Sequence, residues 1–298
     1  MLDFIMAVDD PSEWHAQNIQ ANRQHYSQLA SLGGRAVACH ADCVGVGVHF
    51  NTTVPWRNQV IKYGVISKDR MCSDLLKWDS LYVSGRMHKP ILTLQPDEAV
   101  ANAAKCNLQS AVAVSLLLLP EQFTIQELYR QICGLSYLGD VRMGIAEDSR
   151  KVDRIVEGSL DGFRDLYAAP LQGEVAQQAG LARVHDDAWG QVVGQEARQR
   201  VLETLPKGVM LQLASAVSIP TTADALTPEV SAKVAEAVIA TGRHQQLLSS
   251  AVANIVRASS RRQAVAGFLM AGPVRSCAYV WQKLLKSWRS RQVKPQLM

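Results

Sequence analysis

The sequence predicts an α/β (α+β) protein, a mixed strand-and-helix domain followed by a helical remainder. Three observations carry this expectation. The run Leu2 to Val8 is apolar except for Asp3 and reads as a buried strand. A helix start, Asp10-Pro11-Ser12-Glu13, follows it at once. Strand-like and loop-like stretches then alternate as far as Pro96, beyond which long helical runs dominate. With 48% hydrophobic and 19% charged residues over 298 positions, the chain can bury a sizeable core, which excludes disorder as its main state. The longest apolar stretch, Ala111 to Leu119, is nine residues including Ser115. A bilayer span needs about 20, so no transmembrane helix is expected.

In chain order, Asp10 reads as the N-cap, Pro11 as the first helical residue and Glu13 as the third position of a capping box. Val44 to Phe50 and Gln59 to Ile66 read as further strands joined by Asn51 to Asn58, and Asp69 to Trp78 as a helix. Ser80 to Val83 and Ile91 to Leu94 read as short strands around the loop Ser84-Gly85-Arg86-Met87-His88-Lys89-Pro90. Asp97 to Leu119 is helical and stops at Pro120. Thr124-Ile125-Gln126-Glu127 is a capping box opening the next helix, with Leu128, Ile132 and Leu135 on one face. A tight segment Gly134 to Asp140 precedes a helix from about Lys151 to Tyr167, and the Gly/Gln-rich stretch Ala168 to Gly194 reads as a loose connector. Leu202 to Leu213, Pro228 to Ile239, Leu247 to Phe268 and Val274 to Arg291 read as helices, with no internal repeat.

Charge is distributed unevenly. Ten of the 31 Lys and Arg residues, and none of the 27 Asp and Glu, lie between Ala237 and Met298, leaving 21 basic against 27 acidic before that point. An acidic-leaning body with a basic tail points to an anionic partner, a membrane surface or a nucleic acid, or to a solvated helix with no partner. The predicted helices around residues 124 to 165 show no matching basic face, which weighs against nucleic acid. The six cysteines contain no CxxC pair, and Cys39-His40-x-x-Cys43 lacks the second ligand pair of a structural zinc site, so thiols in a reducing compartment are expected. Met1 to Asp10 reads as neither signal nor transit peptide.

Asp3, a charge in an apolar strand, sits at an exposed strand end or binds a cation. Asp9 shares its parity but lies roughly 20 Å along the strand, so the two cannot share one ion; Asp9 and Asp10 read as helix-start residues. Two basic segments can hold phosphate: Ile61-Lys62-Tyr63-Gly64, and Gly85 to Pro90 with Arg86 and Lys89 three apart, although a plain surface loop explains the second pair as well. Gly139-Asp140-x-Arg142 reads as a turn with a local ion pair or as the edge of a site. No nucleophile elbow, GxGxxG or GxxxxGK[ST] loop is present.

Many collinear segments resemble one family, the mitochondrial phosphatidate cytidylyltransferases, also described as translocator assembly and maintenance proteins. They include Leu2-Asp3-Phe4 through Pro11 with Trp14-His15, His25-Tyr26-Ser27, Lys62-Tyr63-Gly64-Val65-Ile66-Ser67 and Asp74-Leu75-Leu76-x-Trp78. They continue in Leu81-Tyr82-Val83-x-Gly85-Arg86-Met87-x-Lys89-Pro90, Gly134-Leu135-Ser136-Tyr137-x-Gly139-Asp140-x-Arg142-Met143 and Ile255-Val256-Arg257-x-Ser259-Ser260-x-Arg262-Gln263. The resemblance implies a peripheral enzyme of the mitochondrial inner membrane, matrix side, that joins phosphatidate to CTP, giving CDP-diacylglycerol and pyrophosphate for cardiolipin synthesis. It implies a nucleotidyltransferase-type mixed sheet domain over 1–95, a helical, winged-helix-like domain over 96–170, a connector over 171–200 and a helical region over 201–298 ending in an amphipathic membrane-binding helix. On this reading Mg²⁺ is held by Asp3; Asp3, Lys62 and Asp140 are catalytic; Tyr63, Arg86, Lys89, Ser136, Tyr137 and Arg142 bind substrate, with Ser136, Tyr137, Asp140 and Arg142 lining a cleft between domains.

Two departures bear on activity. The Gly-Ser turn that family members carry upstream of the first strand is not in this chain, and Ile5 stands where a D-x-D pair would place its second carboxylate. A truncated form is therefore expected, and with it an alternative function as a catalytically inactive, peripheral lipid-binding or assembly protein. The tail reads independently of the family: Trp281, Leu284, Leu285 and Trp288 recur at helical spacing, flanked by Lys283, Lys286, Arg289 and Arg291. That is the pattern of an in-plane membrane helix on an anionic surface, or of a helix packing its apolar face on the body.

Overall fold

The computed structural model describes residues 2–27, 31–141, 150–185 and 187–271. Arg142 and the tail residues Trp281, Lys283, Lys286, Trp288 and Arg289 lie outside the described residues. The described residues form two compact units: one takes those up to 71, with 141 and 258–271, the other those from 72 to 140 and from 150 to 257. The α+β class expected from the sequence is what the chain adopts.

In the first unit β1 (Leu2–Val8) leads through α1 (Pro11–Ala21) and α2 (Gly34–Cys43) to β2 (His49–Trp56), β3 (Gln59–Ser67) and the start of α3 (Lys68–Lys77). The sheet order is β1-β3-β2, with β1 parallel and β2 antiparallel to β3, and Asp3 pairs in register with Lys62. Leu2 and Asp3 are exposed and the rest of β1 is half-buried, because the strand lies at the sheet's edge rather than inside it. Asp10 caps α1 by accepting from the Ser12 and Glu13 amides, with Pro11 in the first turn. Glu13 does not close a capping box; it accepts from Gln17 Nε2 at 2.7 Å. Asp9 instead pairs with Lys68.

Val44 to Val48 is not a strand. The Val44 and Gly45 amides both return to the His40 carbonyl and Gly47 to Ala41, closing α2, and Gly47 takes φ +88°. The apolar run buries Val46 and Val48 in that turn. The strand begins at His49 and runs through the stretch expected to be a connection, with a bulge between Asn51 and Val54.

The second unit continues α3, then α4 (Ser84–Met87), α5 (Glu98–Leu118), β4 (Gln122–Thr124), α6 (Ile125–Leu135), α7 (Lys151–Glu157), α8 (Leu160–Tyr167), α9 (Glu174–Gln178), β5 (Ala182–Arg183), β6 (Ala188–Gly190), α10 (Gln195–Glu203), α11 (Lys207–Ala216), α12 (Pro228–Ala240) and the first half of α13 (His244–Ala271). The capping box at Thr124 is formed in both directions. Two expected helices are split, one at Gly158-Ser159 and one at Pro206, which cannot continue α10 and instead starts α11. The expected connector holds α9 and the hairpin β5-β6, and β6 pairs antiparallel with β4. One core fills the unit, built on the middle of α5 (Ala111 to Leu117) and on Leu128, Tyr129, Ile132, Phe163 and Tyr167.

Candidate functional site

The candidate side chains of the second unit gather around a five-residue wrap whose first four residues read as a strand in sequence. Ser80 to Ser84 closes on the buried carboxylate of Asp74. Its Oδ1 accepts from the Ser80 and Leu81 amides and Ser80 Oγ at 2.8–2.9 Å. Its Oδ2 accepts from the Val83 and Ser84 amides and Ser84 Oγ at 2.9–3.0 Å. These donors go to a side chain, so no ladder forms, and Trp78 and Leu81 take left-handed backbone (φ 57° and 51°) to turn the chain.

Asn107, buried in α5, fixes the far side. Trp78 Nε1 donates to its Oδ1 at 2.8 Å, and its Nδ2 donates to the Ser84 carbonyl at 3.0 Å. A donor-only indole and an acceptor-only carbonyl define the amide's orientation. His88 Nε2, 3.1 Å from the same Oδ1, must therefore carry its proton. Burial pushes His88 down to about 3, so the ring is neutral.

α4 emerges from this frame. A Cβ at Gly85 would lie 2.4 Å from Ser136 Cβ, so only glycine lets α4 approach the end of α6 this closely. Lys89 Nζ then donates to the Gly85 carbonyl and to Ser136 Oγ (2.9 Å), and lies 5.0 Å from the Tyr137 ring centre. Lys151 Nζ lies 5.1 Å from the same ring. Arg86 stacks on Tyr82 at 4.1 Å and donates to the Tyr82 carbonyl at 2.8 Å. Burial pushes Lys89 down to about 8; Cys133 opposes this, and the Arg86 and Lys151 charges add to it. Lys89 and Lys151 thus both approach the Tyr137 ring, and the Arg86 charge acts on Lys89 beside them, a gathering of cations suited to phosphate oxygens. Asp140 is buried at the end of the same turn, where Gly139 takes φ +72° against the Ala253 carbonyl.

The remaining candidates lie in the first unit. Lys62 Nζ bonds Asp3 Oδ2 at 2.9 Å and sits 4.1 Å above the Phe50 ring. The Tyr63 phenol accepts from Asn18 Nδ2 at 2.9 Å and lies 2.8 Å from His25 Nδ1. Asn18 Nδ2 also donates to the Tyr26 phenol at 2.8 Å, which lies 2.9 Å from His15 Nδ1. His49 stacks on Tyr26 and meets His15 edge-on. Burial takes His15 to about 3 and His49 to about 4, and raises Tyr26 to about 12. Sequence reasoning did not single out Asn18, His49, Asp74, Asn107 or Lys151. Its one available signal in the first unit was the spacing of His15, Asn18 and Asn22 on one helical face beside His25-Tyr26.

Among the described residues no three His, Cys, Asp or Glu side chains converge, and Cys39 and Cys43 meet only each other, Sγ to Sγ 3.5 Å. Mg²⁺ commonly takes one or two carboxylates and completes its shell with water and substrate phosphate. The side chain of Asp3 is 47% exposed and gives Oδ2 to Lys62. This donor set suits a cation completed by phosphate oxygens and not a protein-only cage.

Residues 1–286 match the family described as phosphatidate cytidylyltransferase, mitochondrial. The chain is similar to proteins of that name from Danio rerio (40% identical, covering 99% of this chain and 86% of the relative) and Xenopus laevis (41%, 97% and 84%). It is also similar to one from Schizosaccharomyces pombe (33%, 98% and 75%).

Proposed function

The chain belongs to the family of mitochondrial phosphatidate cytidylyltransferases, and we propose from this that it is a nucleotidyltransferase converting CTP and phosphatidate to CDP-diacylglycerol and pyrophosphate. It acts in the mitochondrion, peripherally at the matrix face of the inner membrane, on a route to cardiolipin. Among the described residues no helix is long and apolar enough to cross a membrane. The observation that carries the reading is the similarity to named cytidylyltransferases along nearly the whole chain.

A phosphate oxygen of phosphatidate attacks the α-phosphorus of CTP; the new P–O bond forms as the bond to the β-phosphate oxygen breaks, and pyrophosphate departs with the electron pair. Both substrates are anionic, so the protein's task is to hold phosphates together and take up charge. Lys89, aimed by Ser136 and the Gly85 carbonyl, with Arg86 and Lys151 beside it, binds substrate phosphate; Tyr137 forms the floor on which both lysines rest. Asp140, buried at the end of that turn, and Arg142 are assigned to the same substrate-binding task. Lys62 and Tyr63 are a second phosphate-binding group, and Asp3 is the residue that would hold Mg²⁺, whose chemistry when bound is to neutralise CTP's phosphates. The basic residues of the tail hold the protein to anionic lipid.

The test is pyrophosphate release from CTP with phosphatidate in anionic vesicles and Mg²⁺, with CDP-diacylglycerol identified by mass. Wild type should turn over, chelation should stop it, and Lys89→Met should lose about a hundred-fold or more. No product from the wild-type chain, with vesicle binding intact, would leave only lipid binding.

A further inference from the structure

We infer that the loop Ile91 to Pro96 is the point at which this protein enters the lipid surface that carries its substrate, an inference that rests on the phosphatidate reading above. The six residues Ile91-Leu92-Thr93-Leu94-Gln95-Pro96 belong to no helix or strand and are all exposed. Three are large and apolar: Ile91 is 55% exposed, Leu92 83% and Leu94 70%, and Leu92 is the most exposed large hydrophobic side chain among the described residues. Isolated exposed leucines need no explanation, but three within four positions, with no acidic residue between Lys89 and Pro96, do.

The loop is held away from the core by fixed ends. On one side the Tyr167 hydroxyl donates to the His88 carbonyl at 2.9 Å, and Pro90 seats against Gly162, where a Cβ would come within 2.9 Å of the proline ring. On the other, Asp97 caps α5 through the Val100 amide. The apolar tip therefore stands in water between two pinned ends.

The occupant that fits is a bilayer containing anionic lipid. Lys89 lies two residues before Ile91 and Arg86 five before it, so the phosphate-binding cations and the apolar tip belong to one short segment. A lipid whose phosphate sits on Lys89 has its acyl chains in hydrocarbon, and a loop carrying Ile91, Leu92 and Leu94 into that hydrocarbon brings the cations to headgroup depth. This pairing of apolar insertion with nearby Lys and Arg is the combination that gives reversible membrane binding.

The experiment uses the full chain and the variant Ile91→Ser/Leu92→Ser/Leu94→Ser, whose positions are exposed and outside the phosphate site. Turnover is measured on phosphatidate in vesicles and on short-chain phosphatidate dissolved as monomer. Hydrogen exchange of residues 91–96 is followed with and without saturating phosphatidate vesicles. The expected result is a rise of roughly ten-fold or more in apparent KM on vesicles, the scale set by burying a single leucine, with monomer kinetics unchanged. Exchange in the wild-type loop should slow when vesicles bind. Equal kinetics on vesicles, an equal loss on both substrates, or loop exchange unaffected by vesicles would overturn the inference; the last is also what a protein-binding loop would give. If neither chain makes product, the cytidylyltransferase reading fails, and loop exchange alone then decides the membrane assignment.

Discussion

Lys89 is held by two neutral oxygens, the Gly85 carbonyl and Ser136 Oγ, with Arg86 and Lys151 as its charged neighbours in the site. Burial takes it to about 8, well below the ordinary lysine value, so the folded protein keeps this ammonium at a cost to its own stability. The sign follows from proton counting: between about pH 8 and the ordinary lysine range near 10.4, the unfolded chain holds a proton the folded chain has released, so this residue makes stability rise with pH there. Lys89→Met should remove that rise and leave the protein as stable as wild type or more so at pH 7.5, measured as denaturant midpoints at pH 7.5 and 9.5. Function should move the opposite way, with phosphate-substrate affinity in wild type falling above about pH 8 as the ammonium is lost. Arg86 and Lys89 were legible in the sequence as a basic loop, and Ser136 and Tyr137 only through family resemblance. That Ser136 orients Lys89 was not legible, because 47 residues separate them and no local spacing encodes the contact. The buried roles of Asp74 and Asn107 were not legible either, since nothing local tells a buried acceptor from a solvated one.

The element that positions the site is the wrap from Ser80 to Met87, and two substitutions probe it. Asp74→Asn replaces one carboxylate oxygen by an NH₂ facing N–H donors, leaving part of a six-donor set buried and unpaired. The expected cost is about 3 kcal/mol or more by urea denaturation, since hydrogen bonds to a charged acceptor are each worth roughly 1.5–3 kcal/mol. Gly85→Ala forces its methyl into Ser136 Cβ. Overpacking of this kind costs roughly 1–3 kcal/mol, and here it also moves the hydroxyl that aims Lys89. Activity should therefore fall by more than the stability loss explains, read as a raised KM at a temperature where the variant is fully folded. The wrap also explains why two strands read from the sequence are absent. Apolar runs at Ser80 to Val83 and Ile91 to Leu94 have strand composition, but the amides of the first go to Asp74 and the second is exposed beside its pinned ends. Helix caps at Asp10 and Thr124 rest on neighbouring residues alone, and both hold.

Across the whole molecule, what could be read was whatever is periodic or local, and what could not was the chain's return. α13 comes back to the first unit more than 200 residues after α2, where His40 Nε2 meets the Ala266 carbonyl at 3.0 Å and Gln263 Nε2 donates to the Val48 carbonyl at 3.3 Å. Histidine burial is likewise a property of the assembled chain. His15 and His49 are buried in the first unit, where they sit near 3 and 4, and His88 in the second, near 3, all lowered chiefly by loss of water. As pH drops below about 6.5, the unfolded chain takes up protons on these three sites while the folded chain does not, so stability falls with decreasing pH. The fall should begin near pH 6.5, above the range where ordinary carboxylates titrate, and continue to about pH 4. Thermal midpoints at pH 7.5, 6.5, 5.5 and 4.5, with hydrogen exchange reporting each unit separately, check this. Both units should weaken together. A loss confined to the first would mean that His88, despite its bond to Asn107, accepts a proton within the folded state, and a midpoint unchanged down to pH 5 would mean that none of the three is held neutral.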